Sequence, residues 1–533
     1  MRRTLSLLFP LLLIATGCRK PAGPAPVARE QILDRAASNF FAGPIQHFEV
    51  RIATNFMESL RREPRKAVPA TVSVGTNVFD SVSVHVKGAA GSTRSIDDNP
   101  ALTLNFSKFK EGQDSFGLHK LHLNNSVQDP SRLDELIAST LYLRAGVPTA
   151  RTTHALVTLN GRSLGLYVLK EGYDKTFIRR NFPASTNGPG NLYDGGFVRD
   201  IDQDLERDVG SGTNSYADLK RLREAVNAPV STRATRLATV LDVDRFLTFC
   251  AIQSLTDDWD GYARNHNNYR LYHDPVSGRF HFIPHGMDQL FGNSSQPLEP
   301  GWNGLVAQRV FELPENRAIF YDRLATLSTN LFTVATLTNL VASTEEKYRL
   351  ALTNRPKGEL DPLLWSTASV RHRLLDRVKS VEQQLSMRPK SVRFDARGEF
   401  TVGGWQPRPD TGNGVADVVA LSPTNRALHL LARSGGTVAG FRAPLQLPAG
   451  RYTFSANVKS SGLTPLKDNR GAGAGLRLGG GSRTNGLAGT TGWKKVTHDF
   501  ELPTGRDLEL VAEIRANAGE AWFDLDSLKV SRR

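Results

Sequence analysis

The distribution of glycine and of hydrophobic periodicity divides this chain before any motif is considered. The last 143 residues hold 21 of the 46 glycines and show no helical spacing of apolar residues. Strand patterns recur there over 452–458, 493–502, 508–514 and 521–530, separated by Gly, Pro and Asn turns. Short strands punctuated in this way read as an all-β, jelly-roll-like sandwich, so residues 391–533 are expected to form a separate domain.

Upstream, period-two alternation marks strands at Val72–Val74, Val82–Val86, Leu102–Phe106 and Leu121–Leu123. Asp129-Pro130-Ser131 predicts a helix start, with apolar positions at Leu133, Leu136, Ile137 and Leu141. Strands 154–159 and 164–169 flank Asn160-Gly161, the strongest short hairpin signal. Residues 215–262 and 313–386 read as helices, and a short hairpin spans 268–283. A strand-rich N-lobe with one helix, followed by a helical C-lobe, gives an α+β outline.

Composition narrows the function classes. The 533 residues are 39% hydrophobic and 23% charged, which suits folded protein and excludes wholesale disorder. The only long apolar run, Leu7–Ala15, is too short for a mature membrane span. The net charge of +14 is dispersed, with no basic arm and no nucleic-acid motif, so no nucleic-acid partner is expected. Cys18 and Cys250 are the two cysteines, too few for a disulfide framework or a four-cysteine zinc site. Cys250 lies in an apolar helical stretch and reads as core.

The amino terminus reads as an address. Arg2-Arg3, the apolar Leu7–Ile14 and the small residues Ala15-Thr16-Gly17 form a secretory signal ending at Cys18. Cysteine at that place resembles the bacterial lipoprotein signal, which implies a lipidated Cys18 and a membrane attachment on the periplasmic or cell-surface side. An ordinary secretory signal is the alternative. On this reading residues 1–18 are the signal, 19–44 a tether and linker that opens with the Pro-rich Lys20–Pro26, and 45–390 the first folded domain.

Two motifs fail on context. Gly161-Arg162-Ser163-Leu164-Gly165 has the nucleophile-elbow letters, but that chemistry needs a helix after the serine, and a strand follows here. Gly471–Gly475 looks like a nucleotide loop but sits in the strand-rich part with no helix after it.

One constellation survives. Asp257–Tyr269 packs Asp257, Asp258 and Asp260 with Asn265, Asn267 and Asn268 into thirteen positions, and Asp288 follows the next hairpin. Acidic groups flanking a hairpin, with amides beside the first, suit a hard cation such as Mg²⁺. In protein kinases a catalytic-loop Asp precedes a metal-binding Asn by five positions, and a second Asp follows a short hairpin. Asp260, Asn265 and Asp288 match that spacing. A solvated polar loop is the competing explanation.

These segments also resemble the spore-coat protein H (CotH) kinase family of secreted atypical protein kinases. The resemblance rests on Leu123–Ser131, Asn160–Gly172, Gly190–Asp194, Asn267–Tyr272 and Phe282–Asp288, in family order over roughly 45–390. It implies a bilobal kinase-like domain that transfers the ATP γ-phosphoryl group to Ser/Thr of a protein substrate, with Mg²⁺ or Mn²⁺. On that resemblance Asp260 orients the acceptor hydroxyl, Asp288 holds metal, and Asn265 or Asn268 completes the metal site. Glu171 falls at the adenine-side hinge, and the loop from Lys87 that contains Gly88, Gly91 and Ser92 faces the phosphates. Lys120 is the phosphate-pairing lysine, with Lys87 its rival, and Glu135 is its helix partner, with Asp134 the alternative. Two departures stand out: Gly286 where many relatives are acidic, and Asn99 where several carry lysine. The C-terminal part resembles carbohydrate-binding β-sandwich modules in Leu447–Phe454 and Ala521–Leu528, which implies glycan binding; a spacer or adhesion role is the alternative. A catalytically silent surface scaffold is the rival reading of the whole chain.

Overall fold

The computed structural model describes residues 26–533 except 90, 185–189, 211–215, 389, 424, 434, 468–470, 484–485 and 504–505. The signal, Cys18 and the start of the tether lie outside the described residues. With 32% of the chain helical and 35% in strands, the α+β expectation holds.

Residues expected to be linker instead form helix α1 (Pro26–Ala42). Its Ala37, Phe40 and Phe41 are buried against the strands that follow, and Phe40 stacks on Phe116 at 4.6 Å. The proline-rich composition ends where the helix begins, and the three apolar groups bury area that a free linker would leave in water.

Seven strands then close into a barrel: β1 (Gln46–Arg51), β2 (Val68–Val74), β3 (Asn77–Lys87), β4 (Ala101–Asn105), β5 (Lys120–Asn124), β6 (Thr152–Leu159) and β7 (Arg162–Glu171), in the order β1-β2-β3-β4-β5-β7-β6. Helix α2 (Thr54–Arg62) links the first two. Inward residues alternate as the pattern requires, with Val68, Ala70, Val72 and Val74 of β2 all buried. The β6–β7 turn has Asn160 at φ +48° and Gly161 at φ +81°, the left-handed pair a two-residue hairpin demands. Asn160 also clamps β1, accepting from Ile52 N at 2.7 Å and donating to its carbonyl at 2.9 Å. Ser163 lies inside strand β7, so the elbow letters carry no nucleophile.

Helix α3 (Asp134–Arg144) separates β5 from β6 and starts later than its sequence signal. Asp129 nevertheless organises the entry, accepting from Ser131 N and Asp134 N at 3.0 Å each. After α4 (Lys175–Asn181) comes a four-stranded sheet of β8 (Asn191–Asp194), β9 (Glu206–Val209), β10 (Tyr269–His273) and β11 (Phe280–Pro284), ordered β11-β10-β8-β9. Helices α5 (Ala217–Val226), α6 (Val230–Val240), α7 (Val243–Leu255) and the single turn α8 (Tyr262–Asn265) lie between its strands in sequence. Helices α9 (Leu305–Phe311), α10 (Pro314–Asn330), α11 (Val334–Ala351) and α12 (Lys357–Ser386) follow. Helix α7 is almost wholly buried, with Cys250 in its core face.

Beyond α12 the described elements are strands apart from a three-residue 3₁₀ turn at Leu525–Ser527. They are β12 (Lys390–Ser391), β13 (Glu399–Thr401), β14 (Gln406–Thr411), β15 (Gly414–Ala420), β16 (Arg426–Ala432), β17 (Thr437–Leu447), β18 (Gly450–Pro465), β19 (Gly473–Leu478), β20 (Gly489–Leu502), β21 (Arg506–Asp524) and β22 (Lys529–Arg532). All eleven join one hydrogen-bonded network around their own core, which includes Leu428, Phe441, Phe454 and Phe523. The predicted strands at 508–514 and 521–530 do not stand as drawn: β21 runs unbroken through 506–524, and β22 is a separate short strand.

Candidate active site

Helix α7 delivers the Asp-rich loop, and a buried arginine fixes where it ends. Arg377 of α12, 0% exposed, donates to the carbonyls of Ser254 and Leu255 at 2.5 and 3.1 Å and to those of Ser294 and Gln296 at 2.9 and 2.6 Å. Four carbonyls satisfy a guanidinium that burial would otherwise penalise.

The three carboxylates that follow divide their work. Asp257 accepts from Arg264 at 2.7 Å and from Asn293 N at 2.7 Å, and so braces the loop. Asp258 is buried against Gln253, and burial, with Asp260 nearby, pushes its carboxyl up to about 7. Asp260 faces a cleft of about 490 Å³. Its carboxylate accepts from Asn265 at 2.6 Å, from Asn267 at 3.1 and 3.2 Å, and from Asn268 at 2.8 Å. The turn α8 reverses the chain through His266 and Asn268, both with positive φ, and so aims all three amides back at one carboxylate. The carboxamide cluster seen in the sequence is a clamp on a single acid.

The same cleft is lined by Gly88, Ser92, Lys120, Asn268 and Asp288, and also by Lys87. Asp288 follows β11; burial first, then the Glu135 carboxylate, pushes its carboxyl up to about 7. Lys87 ends β3 and donates to Asn124 Oδ1 at 2.6 Å. Burial, aided by Lys170, lowers its ammonium to about 8, while Glu135 and Asp288 oppose the shift.

Four expected residues stand elsewhere. Asn265 reaches the cleft only through Asp260. Gly91 packs against Gln128, and a Cβ there would come within 2.8 Å of its Nε2. Glu171 is not at the cleft: its carboxylate takes Arg151 at 2.9 Å and Arg180 at 2.6 Å. Glu135 does not pair with Lys120. It forms a buried ion pair with Lys170 of β7, the two side chains being 2% and 0% exposed. The strand register explains this. Asn124, not Lys120, comes near Glu135, donating to it at 3.4 Å, and Lys120 sits four residues, roughly 13 Å, back along β5. Lys170 was legible only as an ionisable residue directly after the apolar run Leu166–Leu169 of one strand.

The two departures have local causes. Gly286 has φ +57°, and a Cβ there would meet Asn268 Oδ1 at 2.6 Å, so an acidic side chain would displace the amide that holds Asp260. Asn99 accepts from Tyr167 Oη at 2.5 Å and does not line the cleft.

Among the described residues no three His, Cys, Asp or Glu side chains converge as an all-protein metal site. A phosphate-bound Mg²⁺ needs only one or two carboxylates. Asp288, Asp260 and the amide oxygen of Asn268 are hard oxygen donors lining one cleft, and they fit such an ion.

The family described as CotH kinase protein matches residues 84–385. Invasin CotH3 of Rhizopus delemar is 23% identical over 366 residues, covering 60% of this chain and 59% of its own length. The chain therefore spans less than two thirds of that relative. Among solved structures, a Helicobacter pylori proinflammatory kinase, CtkA, overlaps 56% of this chain and 96% of its own at 6% identity and TM-score 0.26. TmCBM61 in complex with beta-1,4-galactotriose overlaps 24% and 88% at 14% identity and TM-score 0.18. Scores of this size describe partial overlap of chain paths and say nothing of activity.

Proposed function

The chain belongs to the CotH kinase protein family, and from that premise we propose that its cleft transfers the γ-phosphoryl group of ATP to a Ser or Thr hydroxyl of a protein. The observation that carries this reading is the convergence of Asp260, Asp288 and Lys87 on one cleft. The barrel with α3 and the helical region after it are then the two lobes.

Asp260, held by three amide donors, accepts a hydrogen bond from the acceptor hydroxyl and turns its oxygen toward the phosphorus. The amides keep that carboxylate in one orientation, so little ordering remains to be done in the transition state. Lys87 pairs with phosphate oxygens as a point charge. Gly88 and Ser92 place their loop beside the phosphates, with the N–H groups of Ala89, Ser92 and Thr93 paired inside the loop itself. A divalent cation, Mg²⁺ or Mn²⁺, held by Asp288 with Asn268, would neutralise charge on the phosphates. Glu135 and Lys170 position the cleft wall from behind and touch neither substrate. Export, with lipidated Cys18 holding the protein at a membrane, belongs to the same proposal.

Asp288→Ala should weaken Mg²⁺-dependent ATP binding and abolish transfer. Asp260→Asn should still bind ATP and lose transfer by about 10²-fold or more. Calorimetric ATP titration with labelled-phosphate transfer reads both. A wild type that neither binds ATP nor transfers phosphate with either metal would leave the silent scaffold.

A further inference from the structure

The cleft is polar around Lys87, Asn124 and Asp288, but its rim beside Asp260 is not. Trp259, joined directly to Asp260, is 44% exposed. Phe197 lines the cleft from the β8–β9 connection and is 62% exposed. Single apolar side chains scattered on a surface are ordinary; two large aromatic groups beside one functional carboxylate are not.

Phe197 does not stand in water because its loop is loose. Gly195 N donates to the carbonyl of Tyr269 at 3.2 Å, and Gly196 N donates to Asp194 Oδ1 at 2.8 Å. The Tyr269 hydroxyl donates to the carbonyl of Arg199 at 3.1 Å, and its ring leaves no room for a Cβ at Gly195. Val198 N donates to Asn267 Oδ1 at 3.2 Å, and the amide nitrogen of Asn267 donates to Asp260 at 3.1 and 3.2 Å. One carboxamide thus links the backbone next to Phe197 to the Asp260 carboxylate. Val198 has φ +51°, a conformation that β-branched residues rarely adopt and that persists only where the surroundings impose it.

We propose that this rim selects the acceptor: a protein segment in which an apolar residue stands next to the Ser or Thr. The inference rests on the phosphoryl-transfer reading and names what that site would take. A hydroxyl held at Asp260 places its neighbours about 3.3 Å further along an extended peptide per residue, so they pass the rim. An apolar side chain there removes exposed aromatic area from water. Charged groups in this part of the cleft already have partners. Asp194 and Asp208 share the Arg270 guanidinium at 2.6 and 2.7 Å, and Asp257 takes Arg264 at 2.7 Å. A flanking charge on the acceptor therefore gains less than an apolar group.

The test is steady-state transfer by the full-length protein, with ATP and Mg²⁺, to three serine peptides whose flanking residues are leucine, lysine or glutamate. The leucine peptide should have the lowest KM. Phe197→Ser should raise that KM by about tenfold, with kcat, ATP affinity and the lysine-peptide KM close to wild type. Trp259→Ser should act in the same direction. Thermal unfolding of the Phe197 variant should stay near wild type, because most of that ring is in solvent. A loss of kcat on all three peptides alike would make Phe197 a merely structural residue and overturn the proposal. Preference of the wild type for the lysine or glutamate peptide would overturn it in favour of selection by charge. A leucine-peptide KM indifferent to both substitutions would overturn it as well, while the phosphoryl-transfer reading stood. Transfer to none of the peptides, with no ATP binding, would remove that reading and this proposal with it.

Discussion

Lys170 and Lys87 stand on the same barrel and have opposite consequences when lost. Lys170 has no solvent, and its ion pair with Glu135 is supported by His285 Nδ1 at 3.3 Å and the Tyr173 ring at 5.5 Å. Lys170→Met leaves the Glu135 carboxylate buried and unpaired, which should cost about 3–5 kcal/mol of stability. Lys87 faces the cleft, and its ammonium is already lowered to about 8 by burial. Lys87→Met should therefore leave stability within about 1 kcal/mol of wild type while weakening ATP binding about tenfold or more. Thermal unfolding and ATP titration on the two variants separate these outcomes. A Lys170→Met protein as stable as wild type would show that the pair does not hold the wall. A Lys87→Met protein with unchanged ATP affinity would remove Lys87 from the phosphates. Neither role was readable from spacing, since Glu135 of α3 and Lys170 of β7 lie 35 residues apart and meet only where α3 packs against the barrel.

Helix α1 shows how composition can hide an element. Proline and alanine dominate its approach, yet Ala37, Phe40 and Phe41 recur on one face and fill the space against Phe48 and Phe116. Its end is tied down as well, because Lys347 of α11 donates to the carbonyls of Ala42 and Gly43 at 2.9 Å each. Phe40→Ala should lower stability by about 3 kcal/mol, measured by denaturant unfolding; an unchanged midpoint would mean that α1 is an appendage. By contrast, the Asn160-Gly161 hairpin was fully legible, because a two-residue turn with two positive φ angles is a demand on those residues alone. The turn α8 lies between these cases. Its carboxamides were conspicuous in sequence, but their shared target, Asp260 and not Asp257 or Asp258, follows from how His266 and Asn268 bend the backbone.

The strand-rich C-terminal part carries a core built from residues between 402 and 530, with no member drawn from the helices before it. An ion pair between Arg388 and Asp507 at 2.9 Å joins it to the preceding part. Residues 391–533 expressed alone should give a cooperative unfolding transition and β-rich circular dichroism; a disordered fragment would move the boundary. The α+β character, six of the seven barrel strands and the family were readable along the chain. Each depends on short-range periodicity, turn chemistry or a contiguous motif, and these are properties of neighbours in sequence. Which acid faces the cleft, which lysine meets Glu135 and why residue 286 is glycine were decided by tertiary structure alone. Those answers depend on the distances between strands and turns far apart in the chain, and burial gives a charge its partner only once the chain has closed around it.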